Sequence, residues 1–142
     1  MTGKTINLDF DGYWPEENKS SVPSQSGIYC VYACTYNPNE KPPTVSLREL
    51  IYIGESADVR HRIATHNKLN DWNRHLNKGE TLCYSVATTP PLDRVRVESA
   101  LIHEVTPPEN KEYSGDFKGN KTTVTTSGEN KFLPSSFTAE IE

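Results

Sequence analysis

Five basic side chains fall between residues 57 and 79, namely Arg60, Arg62, Lys68, Arg74 and Lys78, against two acidic ones. Three of the four histidines, His61, His66 and His75, share that window. Residues 1–56 carry four basic and seven acidic groups, and residues 80–142 carry six and ten. A basic focus inside an acidic chain suits contact with phosphates, although a solvated helix face would look the same. Arg62 and His66 are four apart and would share one side of a helix. There they would offer a phosphate fork and a titratable ring.

Glu98 is the second candidate. On a helix over Leu92–Val105, Val95, Leu101, Ile102 and Val105 form an apolar stripe, and Glu98 falls inside it. A buried carboxylate needs a partner, either a metal ion or an arginine such as Arg94 or Arg62. Two tyrosines, Tyr29 and Tyr52, lie on neighbouring strand candidates. There they serve either chemistry or sheet packing. His61, His66, His75 and Cys83 match no compact zinc spacing. Gly3-Lys4-Thr5 lacks the strand and first glycine of a phosphate loop, and there is no Gly-x-Ser-x-Gly elbow.

Strands and helices must position these groups. Gly27–Tyr36 is rich in β-branched and aromatic residues and reads as a strand, as does Leu50–Ile53. Pro38, Pro42 and Pro43 make Asn37–Glu49 a long connection. Ser56 is a suitable N-cap for a helix from Ala57 to about Lys68. A short helix with Trp72 and Leu76 follows. Leu82–Ala87 alternates as a third strand, and Pro107 and Pro108 end the helix that carries Glu98. Ile6, Leu8 and Phe10 alternate with polar residues, so a short strand or an ordered arm is expected near the N-terminus. From Tyr113 the chain is rich in Gly, Ser, Thr, Asn and Lys and reads as a tail docked through Phe132, Leu133 and Phe137.

The chain has 142 residues, 34% hydrophobic and 24% charged, with net charge −4 and a mean hydropathy of −0.69. That length suits one domain. It excludes a polybasic nucleic-acid coat, and any contact with nucleic acid must be local. Cys30, Cys34 and Cys83 form no C-x-x-C pair and suit a reducing compartment, as small apolar residues. With no signal-like leader and no long apolar run, a cytoplasmic protein is expected.

Taken in order, these residues resemble the GIY-YIG nuclease family. Gly27-Ile28-Tyr29 and Tyr52-Ile53-Gly54 are similar to the two halves of its signature. Arg62, eight residues after Gly54, His66, Glu98 and Pro108-Glu109-Asn110 continue the likeness across residues 25–112. The resemblance implies an α+β fold, a small three-stranded antiparallel sheet flanked by helices. Residues 1–24 would form a polar N-terminal arm and 113–142 a polar tail. It implies an endonuclease cutting DNA, double-stranded or branched, with Mg2+ or Mn2+ held by Glu98. Tyr29 and Tyr52 would flank the scissile phosphate, and one of them or His66 would take a proton from the attacking water. Arg62 would stabilise charge on the phosphoryl oxygens, and Asn110 would orient the site or contact the backbone. Arg60, Lys68, Arg74 and His75 are the expected nucleic-acid contacts. A protein partner or self-association would assist target choice, since no familiar reader domain is appended. Two features depart from the family pattern, the long Asn37–Glu49 connection and the acid Glu55 after Gly54, which would repel phosphate unless it turns outward. A non-catalytic nucleic-acid-binding module and a protein-interaction accessory domain are the alternatives.

Overall fold

A computed structural model describes residues 3–111 and 120–140. Six strands form one sheet: β1 (Lys4–Pro15), β2 (Gly27–Asn37), β3 (Thr44–Ser56), β4 (Thr81–Thr88), β5 (Thr122–Gly128) and β6 (Ser136–Ala139). Their spatial order is β3-β2-β4-β1-β5-β6. The β1–β5 pair is parallel and all others are antiparallel. Three α-helices, α1 (Val59–Ala64), α2 (Leu69–Asn73) and α3 (Arg94–Val105), and 3-10 turns at Glu16–Ser21 and Pro91–Asp93 complete it.

This corrects the expected fold, a small three-stranded sheet flanked by helices. The expected N-terminal arm is a twelve-residue strand that pairs with β4 on one side and β5 on the other. The expected tail supplies two strands. Thr122, Thr123, Val124, Thr125 and Thr126 form a β-branched run, and its pleated backbone suits a sheet. Its partner lies more than a hundred residues earlier, with Lys4 opposite Thr122 and Phe10 opposite Gly128. Local patterning carries no trace of such a pairing. The expected boundary at 112/113 lies outside the described residues.

The Asn37–Glu49 connection also differs from expectation. Most of it is strand, because β2 and β3 form a long hairpin closed by residues 38–43. The hairpin contains two register shifts. Tyr52 faces Val31 while Leu50 faces Tyr32, so Ile51 is extra, and Arg48 is extra in the same way. A bulge turns consecutive side chains to one face, and both Ile51 and Tyr52 join the core on the side of α1 and α2.

Two apolar layers flank the sheet. Tyr29, Val31, Leu82 and Tyr84 pack under Val59 and Ile63 of α1 and Trp72 of α2. On the other face, Ile28, Tyr32, Phe10 and Val124 pack under Val97, Leu101 and Ile102 of α3. Cys34 and Cys83 sit there on adjacent antiparallel strands, diagonal to each other with Cα atoms 6.2 Å apart, and form a disulfide. The reading of all three cysteines as plain apolar residues therefore holds for Cys30 alone, which is free and buried.

The helices are shorter than the sequence suggests. Asp58, rather than Ser56, caps α1, accepting from the His61 backbone N–H at 3.1 Å. The helix ends at Ala64 because the next residues make local bonds. The Thr65 hydroxyl donates to the His61 carbonyl, and Nδ1 of His66 accepts the Lys68 backbone N–H. His66 thus lies beyond the helix and does not share a helical face with Arg62. In α3 the buried set is Val97, Glu98, Ala100, Leu101 and Ile102, while Val95 faces solvent. No helix among the described residues is long and apolar enough to cross a membrane.

Candidate active site

The site lies at the end of the sheet where β2 begins and β3 ends. Tyr29 is the Cα partner of Gly54, and its ring lies across the glycine. A Cβ on Gly54 would sit 2.7 Å from Cε1 of Tyr29 and closer still to Cζ and the hydroxyl. The second glycine of the signature is therefore the floor on which the first tyrosine rests. Gly27 has a similar reason: a Cβ there would run into the carbonyl of Ala87 on β4.

Tyr52, two residues before Gly54 on β3, is the diagonal neighbour of Tyr29, with ring centroids 6.2 Å apart. His66 meets both rings edge-on, at 6.0 Å from Tyr29 and 5.4 Å from Tyr52. Trp72 of α2 backs the imidazole at 4.3 Å. Trp72 is the member of this cluster that residue-type reasoning assigns no role. No spacing rule links it to His66, and burial of a large aromatic was its sole signal.

The electrostatics follow from burial and three nearby charges. Burial raises the Tyr29 pKa well above that of a free phenol. Tyr52 and the Glu98 carboxylate add to the rise, while Arg62, against the hydroxyl, opposes it. Tyr29 is therefore a phenol, not a phenolate, in the resting protein. Burial, followed by Arg62 and Lys68, lowers His66 to about 4. A backbone N–H can only donate, so the 3.0 Å bond from Lys68 N requires an unprotonated Nδ1. The ring is then neutral and carries its proton on Nε2. That atom is buried and has no hydrogen-bond partner among the described residues. His66 is held as a donor. Glu98 of α3 is 7% exposed, and its charge is felt at Tyr29.

Asn110 does not enter the cluster. Its Nδ2 donates to the Ile53 carbonyl at 2.8 Å, and its Oδ1 accepts the Ile53 N–H at 3.0 Å. β3 is the edge strand, and this side chain supplies the pairing that a neighbouring strand would give. Glu109 N–H donates to Ile51 O and extends the contact. Asn110 therefore fixes the strand between Tyr52 and Gly54.

The other expected contacts scatter. Arg60 is exposed on α1, and Lys68 precedes α2, half-buried. Arg74 pairs with Asp71 at 2.9 Å. His75 lies between Glu109 at 2.6 Å and Glu49 at 3.5 Å, so carboxylates take both ring nitrogens. Glu55, the apparent departure, pairs with Arg94 at 2.8 Å, and Arg94 also donates to the Ser26 hydroxyl. Its charge is neutralised, so the expected repulsion of phosphate is removed.

Among the described residues no three His, Cys, Asp or Glu side chains converge as a metal cluster. Glu98 brings one carboxylate. That donor set suits a hard cation such as Mg2+, which keeps several waters and takes phosphate oxygens, and it does not suit zinc. No family model matches the chain, and no curated protein or solved structure matches it.

Proposed function

We propose that this protein is an endonuclease that hydrolyses phosphodiester bonds in DNA, in the manner implied by its resemblance to the GIY-YIG family. The observation that carries this reading is the cluster of Tyr29, Tyr52 and His66, with Arg62 against the Tyr29 hydroxyl and the charge of Glu98 felt there. The glycine beneath Tyr29 lets the phenol lie flat against the strand.

Glu98 would hold Mg2+ or Mn2+, which when bound supplies a Lewis acid for the phosphoryl and leaving oxygens. Arg62 offers a fixed positive charge at the Tyr29 hydroxyl, where charge on a pentacoordinate phosphorus would develop. His66 is set to donate through Nε2–H rather than to accept, which disfavours it as the base. Tyr29 sits between two charges of opposite effect. Arg62 favours its phenolate and Glu98 opposes it, so neutralising Glu98 favours the form that can take a proton from water.

The test is supercoiled, linear and branched DNA incubated with Mg2+ or Mn2+, against EDTA and against Glu98→Ala. Nicking or linearisation confined to the metal-containing, unsubstituted samples is expected. Equal survival of DNA in every tube would sink the enzyme reading. If salt-dependent binding persisted without cleavage, the non-catalytic module would replace it.

A further inference from the structure

Leu92 is 95% exposed and Val95 is 66% exposed, two aliphatic side chains one turn apart that face solvent together. Their support is rigid. Pro90 and Pro91 fix the backbone before them, and the Asp93 N–H closes a turn on the Pro90 carbonyl. Asp93 pairs with Lys4, and Arg94 is clamped to Glu55 and Ser26. These last two residues flank Gly54 and Gly27, so the exposed pair stands at the site's end of the sheet. Glu98 follows one turn further along the same helix.

We propose that Leu92 and Val95 form an apolar wedge that enters the DNA substrate two to three base steps from the cleaved phosphate. This inference rests on the nuclease reading. Charge favours nucleic acid as the occupant. The two nearby acids, Asp93 and Glu55, are neutralised by ion pairs. Arg96 makes its bonds to neutral acceptors, the Thr122 hydroxyl and the Lys121 carbonyl, and keeps its full charge. An apolar tip with neutralised acids and the Arg96 charge beside it suits stacked bases between phosphates. A second protein copy is a poor match. Two aliphatic side chains offer roughly 60–120 Å² each, far below the roughly 800 Å² per partner of a stable interface. Preformed rigidity also lowers the ordering penalty on binding. Leu92, in the 3-10 turn, lies six residues before Glu98 of α3, roughly 9–10 Å along the axis at the rises of the two helix types. At about 3.4 Å per nucleotide, that sets the wedge two to three steps from the cut.

The experiment maps the cut on a plasmid, then builds a duplex of that sequence with 2-aminopurine at successive positions. With Glu98→Gln protein, fluorescence should rise at two or three positions flanking the cut. In the Leu92→Ser/Val95→Ser background that rise should vanish. The same pair of substitutions should lower kcat/KM on the duplex by roughly tenfold. Both side chains are exposed, so the melting temperature should be unchanged. Unaltered fluorescence and cleavage in the double variant would overturn the wedge while the nuclease reading stands. A double variant that sediments as a smaller species than the parent would overturn it too, by giving the lip to a second copy. If the unsubstituted protein neither cuts nor binds DNA, the function itself is wrong and the wedge falls with it.

Discussion

A methyl group on Gly54 would overlap the ring of Tyr29, so Gly54→Ala must push the phenol or the strand aside. Overpacking of this kind costs about 1–3 kcal/mol. Denaturant melts should show that loss, with cleavage abolished, and Tyr29→Ala should remove most of the added penalty in the double variant. Strict additivity of the two stability losses would contradict the proposed contact. His66 gives a pH prediction at the same scale. Its folded pKa of about 4 lies below the ordinary 6.5, so the unfolded chain takes up the proton first. Stability from this group is full above about 6.5 and lost progressively as pH falls toward about 4. His66→Gln should flatten urea midpoints over that window relative to the parent. The signature residues were legible as types and spacing. The tautomer of His66 was not, because it depends on a bond to Lys68 that a helix through both residues would not make.

Asn110 belongs to the element scale, since its two bonds complete the edge of β3 at Ile53. Asn110→Ala leaves a buried N–H without an acceptor and should cost about 1–3 kcal/mol in chemical denaturation. Cleavage should fall with it, because Gly54 is the next residue. Asn110→Asp sets a carboxylate oxygen against the Ile53 carbonyl, and its deficit should shrink as acid protonates it. A deficit independent of pH would mean the strand is held by other contacts. Helix and strand cores were readable from local pattern: β2 from aromatic and β-branched residues, β4 from alternation, α3 from its apolar stripe. Their limits were not, because bulges at Ile51 and Arg48 and the local bonds of Thr65 and His66 depend on what lies across the strand or turn.

At the scale of the whole molecule, β5 and β6 are part of the sheet that carries the site rather than a trailing tail. Val124, Leu133 and Ala139 share a core with Ile6, Leu8 and Phe10 of β1. Each fully buried aliphatic side chain contributes roughly 1.5–3 kcal/mol, against a total stability of about 5–15 kcal/mol for a domain. Deleting residues 120–142 should therefore abolish the cooperative melt, and a 25–112 fragment should bind a hydrophobic dye. A fragment that melts cooperatively near the parent temperature would show that the outer half of the sheet is dispensable. The sequence by itself singled out Tyr29, Tyr52, Arg62, His66 and Glu98 as candidates, because type and spacing record them directly. It also determined that β2 and β4 are strands and that α3 is a helix, since hydrophobic periodicity is local. Only the tertiary structure decided that six strands, not three, make the sheet, that Asn110 serves the strand, and that Glu55 is neutralised. Each of these rests on contacts between residues far apart in the chain, β1 with β5, Ile53 with Asn110, Glu55 with Arg94. Loop closure sets such pairings through the fold as a whole, and no window of sequence contains both partners.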